Sequence, residues 1–205
     1  MKKILVAVIC SFALFACGSS KLKSNNGVFT DTFQSEKRSP WIDTSKQFLT
    51  YQILREQGLK ISNTSLKYHA GVNYHDFPVN MIADFETTLE FSMSDTGNFT
   101  FYLGYKDAKH RELFSFSEDK GKFYYSRYNG ENQTERINKN CSVNKGVNEL
   151  KLIKKENEVF LFLNDELIMN EKDKPTFSNS FGFGLSPETS VVLRQIKIAE
   201  TPVIK

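Results

Sequence analysis

The period-two alternation of aromatic and aliphatic residues most constrains the fold of this chain. In the segment 98–105, phenylalanine, leucine and tyrosine occupy the odd positions, while polar residues, Tyr102 and Gly104 occupy the even ones. Side chains of a β-strand point alternately to its two faces, so this spacing predicts strands with one face in a core. Helical periodicity is scarce, and the pattern predicts an all-β domain. The same alternation recurs in segments 114–117, 123–128, 150–153, 159–163, 181–185 and 191–199.

Short turn-forming segments separate these runs. Asn129-Gly130 and Asn164-Asp165 are two-residue turn sequences, and 118–121 and 155–157 are similar in composition. Many short strands joined by tight turns predict an antiparallel sandwich, jelly roll or barrel. No second linker and no internal repeat interrupts residues 28–205, so we expect a single β-sandwich domain over that range.

The first residues have the composition of a secretory signal. Lys2 and Lys3 precede an apolar run from Ile4 to Ala16, which at about 1.5 Å of helix rise per residue is too short to span a hydrocarbon core of about 30 Å. Its length is typical of a signal peptide. The segment Leu14-Phe15-Ala16-Cys17 resembles the lipobox of bacterial lipoproteins. The resemblance implies that residues 1–16 are removed and that Cys17 is acylated.

Acylation of Cys17 would make the lipid bilayer a partner of the protein. Residues 17–27 are small, polar and basic, which predicts a flexible tether between the lipid and the domain. The expected location is the bacterial cell envelope. Because Gly18 is not the acidic retention signal of some inner-membrane lipoproteins, we expect the outer membrane. No acidic residues follow Cys17, which favours the periplasmic side over the cell surface.

Cysteine usage and charge restrict the remaining classes. After loss of the signal and use of Cys17, only Cys141 remains, so an intrachain disulfide is excluded and Cys141 is expected to pack as a small hydrophobic residue. The formal net charge of +3 falls to +1 when Lys2 and Lys3 leave. With no long basic run, this balance argues against nucleic acid as a partner.

Three segments together resemble the concanavalin A-like (laminin-G-like) jelly rolls. These are Phe29–Phe33 with Trp41 and Leu59–Ile61, then Asn148–Leu152 with the hairpin 159–168, and finally Phe181–Gly184 with 191–198. The resemblance spans nearly the whole domain, and its motifs are structural. It implies a β-sandwich fold, and the superfamily includes lectins, glucanases and spacer domains, so the fold by itself does not fix the activity.

Retaining glucanases of this superfamily carry carboxylates on one face of a strand. Asp84, Glu86 and Glu90 share parity here, but Thr88 occupies the middle position. These acids are therefore either a solvated strand face or a degenerate catalytic strand, and no catalytic residue is predicted. No metal site or cofactor is predicted either. Calcium would require Asp or Asn oxygens, and the candidates are not spaced as a site: Asp31, Asp95, Asn98 and Asp107.

Tyrosines provide the more informative site prediction. Tyr102, Tyr124 and Tyr128 have the parity opposite to the phenylalanines, so we expect them on the outer surface of a sheet. Tyrosine rings stack on sugar rings while their hydroxyls form hydrogen bonds, although tyrosine is also an ordinary strand residue. Two histidines in the segment 68–76, read as an aromatic loop, and one tryptophan complete the candidate ligand-binding set. It consists of Tyr102, Tyr124, Tyr128, His69, His75 and Trp41.

Three functions remain open at this point. The leading hypothesis is an envelope lipoprotein whose domain binds carbohydrate without catalysis. The second is a glycoside hydrolase of the glucanase or keto-sugar hydrolase type, which would require clustered carboxylates. The third is a structural or protein-binding subunit of the envelope, which would show a flat surface of lysine and glutamate.

Overall fold

A computed structural model describes residues 27–34, 47–74, 77–93 and 97–201 of the chain. These residues form two antiparallel sheets that pack face to face, so the predicted all-β sandwich is confirmed. No helix long and apolar enough to span a bilayer occurs among these ranges.

The larger sheet has eight strands. Its order is β12-β11-β10-β5-β14-β3-β2, and β1 pairs with β14 beside this path. The long strand β14 pairs with β3 through its first half and with β1 through its second half. The strands are β1 Val28–Asp31, β2 Leu49–Leu54, β3 Gly58–Asn63, β5 Phe85–Met93, β10 Asn148–Lys155, β11 Glu158–Leu163, β12 Glu166–Lys172 and β14 Ser190–Glu200.

The smaller sheet has six strands in the order β4-β13-β6-β7-β8-β9. From β6 to β9 it is a meander of consecutive hairpins, whereas β13 enters between β4 and β6 from a distant part of the chain. Its strands are β4 Ala70–Tyr74, β6 Asn98–Asp107, β7 His110–Ser117, β8 Lys122–Asn129, β9 Asn132–Asn140 and β13 Phe181–Leu185.

Phenylalanines fill the space between the sheets. Phe91 of the eight-stranded sheet packs on Phe99 of the six-stranded sheet at 4.8 Å between ring centroids, and Phe101 stacks on Phe114 at 4.4 Å. All four side chains are essentially inaccessible to water. Burial of a phenylalanine contributes about 1.5–3 kcal/mol, so this cluster is a major source of stability. Cys141 is buried beside it, and burial raises the pKa of its thiol to about 11.

The predicted turn chemistry matches the backbone. Asn164 and Asp165 both have positive φ, 51° and 66°, between β11 and β12. Two consecutive left-handed residues are the signature of a type I′ hairpin turn, which asparagine and aspartate tolerate better than most residues. Glu156 and Asn157 make the equivalent pair between β10 and β11, with φ of 54° and 67°.

Two predictions of local structure were incomplete. The segment 68–76, expected to be a loop, contains β4. Only Val72 of that edge strand is fully buried, so its hydrophobic signal is too weak to identify in the sequence. Strand β9 was also not predicted, because its sequence NQTERINKN is almost entirely polar. It forms by pairing with β8 at the other edge of the six-stranded sheet.

Candidate functional site

The three predicted tyrosines lie on one surface. Tyr102, Tyr124 and Tyr128 are half-buried, while their chain neighbours Phe101 and Phe123 are buried in the core. The predicted assignment of the two strand faces is therefore confirmed. We call the outer surface of the six-stranded sheet, which carries these tyrosines, the tyrosine face.

Strand register arranges the tyrosine face in rows. Tyr102 lies beside Leu113, and Leu113 beside Ser126. Tyr124 lies in the adjacent row beside Ser115. The face therefore presents aromatic rings among hydroxyl, amide and guanidinium groups. The two rows, from β4 to β9, are Asn73, Gly182, Tyr102, Leu113, Ser126, Arg136 and Gly71, Gly184, Thr100, Ser115, Tyr124, Asn138.

Tyr102 lies against the glycines of the neighbouring strands. A Cβ atom added to Gly184 would meet the Tyr102 hydroxyl at 2.2 Å, and one added to Gly71 would meet the same ring at 3.2 Å. The two glycines thus make room for the ring to lie along the sheet. Burial raises the pKa of the Tyr102 hydroxyl above its usual value, and the positive charge of Arg111 partly offsets that effect.

A groove of about 380 Å³ runs over the part of the tyrosine face that β8 and β9 mainly form. We call it the tyrosine groove, since Tyr124 and Tyr128 form part of its wall. Hydrogen bonds order its floor, because Thr100 Oγ1 and Ser115 Oγ lie 2.7 Å apart and Gln133 Nε2 donates to Ser126 Oγ at 2.8 Å. The groove is lined by Asn98, Ser115, Lys120, Tyr124, Ser126, Tyr128, Gln133 and Arg136.

Arg111 adjoins this groove through Tyr128. The centre of its guanidinium group lies 4.6 Å from the centroid of the Tyr128 ring, which is the geometry of a cation–π contact. Its Nε atom is buried and has no hydrogen-bond partner among the described residues. The aromatic ring therefore holds the cation in place while leaving hydrogen-bonding capacity unused.

His69, a further predicted ligand-binding residue, does not line this groove. His69 is exposed and precedes the first residue of β4. Trp41, His75 and the lipidation site Cys17 lie outside the described residues. The structure thus brings Tyr124 and Tyr128 together in one groove and places Tyr102 on the same face beside the glycines.

The carboxylates considered for catalysis lie on the other sheet. Glu86 and Glu90 are half-buried on the outer face of the eight-stranded sheet, and Glu86 pairs with Lys151 at 3.0 Å. A second groove there, of about 300 Å³, is lined by Glu86, Thr88, Lys197, Ala199, Glu200 and Thr201. Glu200 also accepts a hydrogen bond from the Asn80 backbone N–H at 2.9 Å, so both glutamates of this groove have structural partners.

The four candidate calcium ligands are scattered in the fold where the structure describes them. Asn98 and Asp107 are at opposite ends of β6, Asp31 is in β1, and Asp95 is outside the described residues. Asp107 accepts a hydrogen bond from the Lys109 N–H at 2.8 Å, and this bond, with the neighbouring His110, lowers the pKa of the Asp107 carboxyl. Within the described ranges, no three His, Cys, Asp or Glu side chains form a group that could hold a metal ion.

Sequence reasoning missed several residues of the face. Arg111 and Ser115 have the same strand parity as Tyr124 once β7 is paired with β8, and that pairing follows from the predicted turn at 118–121. Arg136 could not be found in this way, because β9 has no alternation to reveal its register. Nor could Gly71 and Gly184, which reach Tyr102 only through pairing of distant strands.

Comparison with known proteins shows similarity in structure and none in sequence. Neither a protein-family model nor a curated protein matches the chain. A carbohydrate binding module from Bacillus subtilis superposes with a TM-score of 0.55 at 14% identity, over 74% of this chain and 92% of that one. A β-glucanase from Bacillus licheniformis gives 0.59 at 9% identity, over 87% and 100%. A protein of unknown function with a galectin-like fold from Bacillus subtilis gives 0.59 at 12% identity, over 84% and 94%. The chain therefore has the concanavalin A-like jelly-roll fold.

Proposed function

We propose that this protein is a cell-envelope lipoprotein whose tyrosine face binds carbohydrate without cleaving it. The observation that carries the proposal is the tyrosine groove, in which Tyr124 and Tyr128 stand among serine, asparagine and glutamine side chains. Aromatic rings provide the apolar contact for a sugar ring, and the polar groups provide partners for its hydroxyls. The solved structures with the same fold include a carbohydrate binding module and a β-glucanase, which supports a carbohydrate as the ligand.

Hydrolysis is the less favoured alternative. Glycosidases need two carboxylates on either side of the scissile bond. Neither Asp nor Glu lines the tyrosine groove among the described residues. The glutamates of the second groove, Glu86 and Glu200, are on the opposite outer surface and are engaged by Lys151 and by the Asn80 backbone. A role as an envelope subunit that binds another protein is the third alternative.

Membrane anchoring is the second part of the proposal and comes from the sequence alone. The apolar run that ends at Ala16-Cys17 supports acylation of Cys17. Residues 18–26 would then separate the lipid from the first described residue, Gly27. Several acyl chains hold a protein on a bilayer durably, whereas a single chain does not. We place the protein on the periplasmic side of the outer membrane.

Glycan binding by the full-length chain in detergent tests the proposal. Tyr124→Ala and Tyr128→Ala should each weaken binding roughly tenfold or more, because each removes an aromatic platform. Phe162→Ala is the matched control, since it removes a half-buried aromatic side chain from the outer surface of the other sheet. If both tyrosine variants melted at the wild-type temperature and bound glycans as tightly as the control, the tyrosine face would not be the binding site.

A further inference from the structure

We propose that the tyrosine groove selects acidic glycans, whose sugar rings carry carboxylates. This inference rests on the carbohydrate-binding function proposed above and adds the class of ligand. The groove and its surroundings are positively charged. Lys120 and Arg136 line the groove, Arg111 adjoins it through Tyr128, and Lys122 is on the same outer surface of β8.

These four cations are not neutralised by the part of the protein that the structure describes. Elsewhere in the sheets, Arg127 pairs with Glu112 and Lys151 pairs with Glu86. Among described side chains, no carboxylate forms an ion pair with Arg111, Lys120, Lys122 or Arg136. Glu118 and Asp119, next to Lys120 in the sequence, belong to the β7–β8 turn and do not line the groove, and Asp119 accepts a hydrogen bond from Ser117 Oγ at 2.6 Å. Glu112, next to Arg111 in the sequence, is buried and pairs with Arg127.

The second groove shows that this imbalance is local. On the outer surface of the eight-stranded sheet, Glu86 and Glu200 line the groove together with Lys197, so acids outnumber bases there. The excess of positive charge is therefore a feature of the tyrosine face itself. It does not follow from the composition of the whole chain, which is nearly balanced with 27 basic and 24 acidic residues.

The arrangement fits a carboxylate on a sugar better than a free anion. Guanidinium groups bind carboxylates through two parallel hydrogen bonds, and the exposed Arg136 lines the groove. Tyr124 and Tyr128 offer rings next to these charges, which a small inorganic anion would not use. The hydroxyl and amide groups of Ser126, Gln133 and Asn98 suit the remaining sugar hydroxyls.

Binding assays with matched polysaccharides test the inference. The full-length chain in detergent is titrated with oligosaccharides of polygalacturonate, alginate and hyaluronan. Methyl-esterified polygalacturonate is included because its sugar backbone is the same and its esterified carboxyl groups carry no charge. Neutral β-glucan, dextran, dextran sulfate and a single-stranded oligonucleotide complete the set. We expect at least one oligouronide to bind, with affinity that falls as salt rises and is about tenfold lower after esterification of its carboxylates.

Arg136→Gln is the main variant, because Arg136 is exposed at the edge strand and its replacement leaves the core intact. It should weaken uronide binding about five- to tenfold, and Arg111→Gln should act in the same direction. Lys197→Gln, which removes an exposed cation from the other sheet, is the control and should leave affinity unchanged.

The other outcomes of these binding assays would each contradict the inference. Equal or tighter binding of the neutral or esterified glycans would refute the charge selection while leaving the carbohydrate-binding function intact. Binding of dextran sulfate without any oligouronide would refute the carboxylate assignment. Tighter binding of the oligonucleotide would assign the face to nucleic acid, and binding of no member of the set would refute both the inference and the proposed function.

Discussion

Arg127 donates a hydrogen bond to the carboxylate of Glu112 between the two sheets, where the two side chains are only 7% and 8% exposed. Arg127 also donates to the Pro175 carbonyl at 2.8 Å and lies over the Phe177 ring at 4.3 Å. The pair thus attaches the segment that follows β12 to the end of β8. Lys154 and Asp173 form a second ion pair in the same region, at 3.2 Å.

This buried pair should make stability depend on pH. Burial raises the pKa of Glu112 from 4.5 to about 7. The negative charge of Asp173 also raises this pKa, whereas the positive charges of Arg127, Lys154 and Lys174 oppose the increase. Because the folded state holds the proton more tightly, the contribution of Glu112 to stability is fully present below pH 4.5 and is lost as the pH rises through 7. The change is on the order of 3 kcal/mol.

Urea melts of the wild type and of Glu112→Gln between pH 4.5 and 8 measure this effect, because other titrating groups cancel in the difference. The stability of the wild type relative to the variant should fall as the pH rises. A difference that stayed constant with pH would show that attraction to Arg127 cancels the effect of burial, and one that grew with pH would show that attraction outweighs burial. Glu86→Gln, which breaks a partly exposed pair with Lys151, is the control and should change stability little.

The two faces of β11 should respond differently to truncation. Leu161 is fully buried between the sheets, whereas its neighbour Phe160 is half-buried on the outer face. Leu161→Ala should cost about 2–5 kcal/mol, since it leaves a cavity in the core. Phe160→Ala should cost roughly 1–2 kcal/mol, although it removes more atoms. Thermal melts that ranked the two in the opposite order would contradict the observed register.

The β11–β12 turn offers a stabilising substitution. Asp165 is exposed with φ of 66°, so Asp165→Gly should stabilise the fold by about 0.5–1 kcal/mol, because glycine adopts this conformation without strain. Asn164→Ala should instead destabilise it by about 1–2 kcal/mol, since Asn164 Oδ1 accepts from the Glu149 N–H at 2.9 Å. Melting temperatures that moved in the same direction for both variants would be inconsistent with a type I′ turn.

Acylation can be tested independently of the fold. Cys17→Ser removes the thiol on which a thioether would form, so the variant should lose incorporation of a palmitate analogue and leave the membrane fraction. A Cys10→Ser chain is the control, because Cys10 lies within the predicted signal. Equal labelling of the wild type and the Cys17→Ser chain would refute the lipoprotein assignment.

The class of fold and the two faces of the clearest strands could be predicted from the residues alone. Alternation assigned Phe101 and Phe123 to the core and Tyr124 to the surface, because strand geometry makes every second side chain share a face whatever its neighbours are. Turn composition likewise predicted the hairpin at Asn164-Asp165, because the positive φ of Asp165 depends on the local backbone conformation. Neither inference needs knowledge of distant contacts.

The side chains that distant strands bring together could not be predicted from the residues alone. Strands β4 and β13 place Gly71 and Gly184 next to Tyr102, and β9 places Arg136 beside Ser126. Alternation also predicts that Arg127 is on the inward face, but its contacts with the Pro175 carbonyl, 48 residues away in the sequence, and with the Phe177 ring could not be predicted. Charge and ligand chemistry belong to surfaces assembled from several strands, and local sequence cannot specify them because those strands meet only when the sheets form.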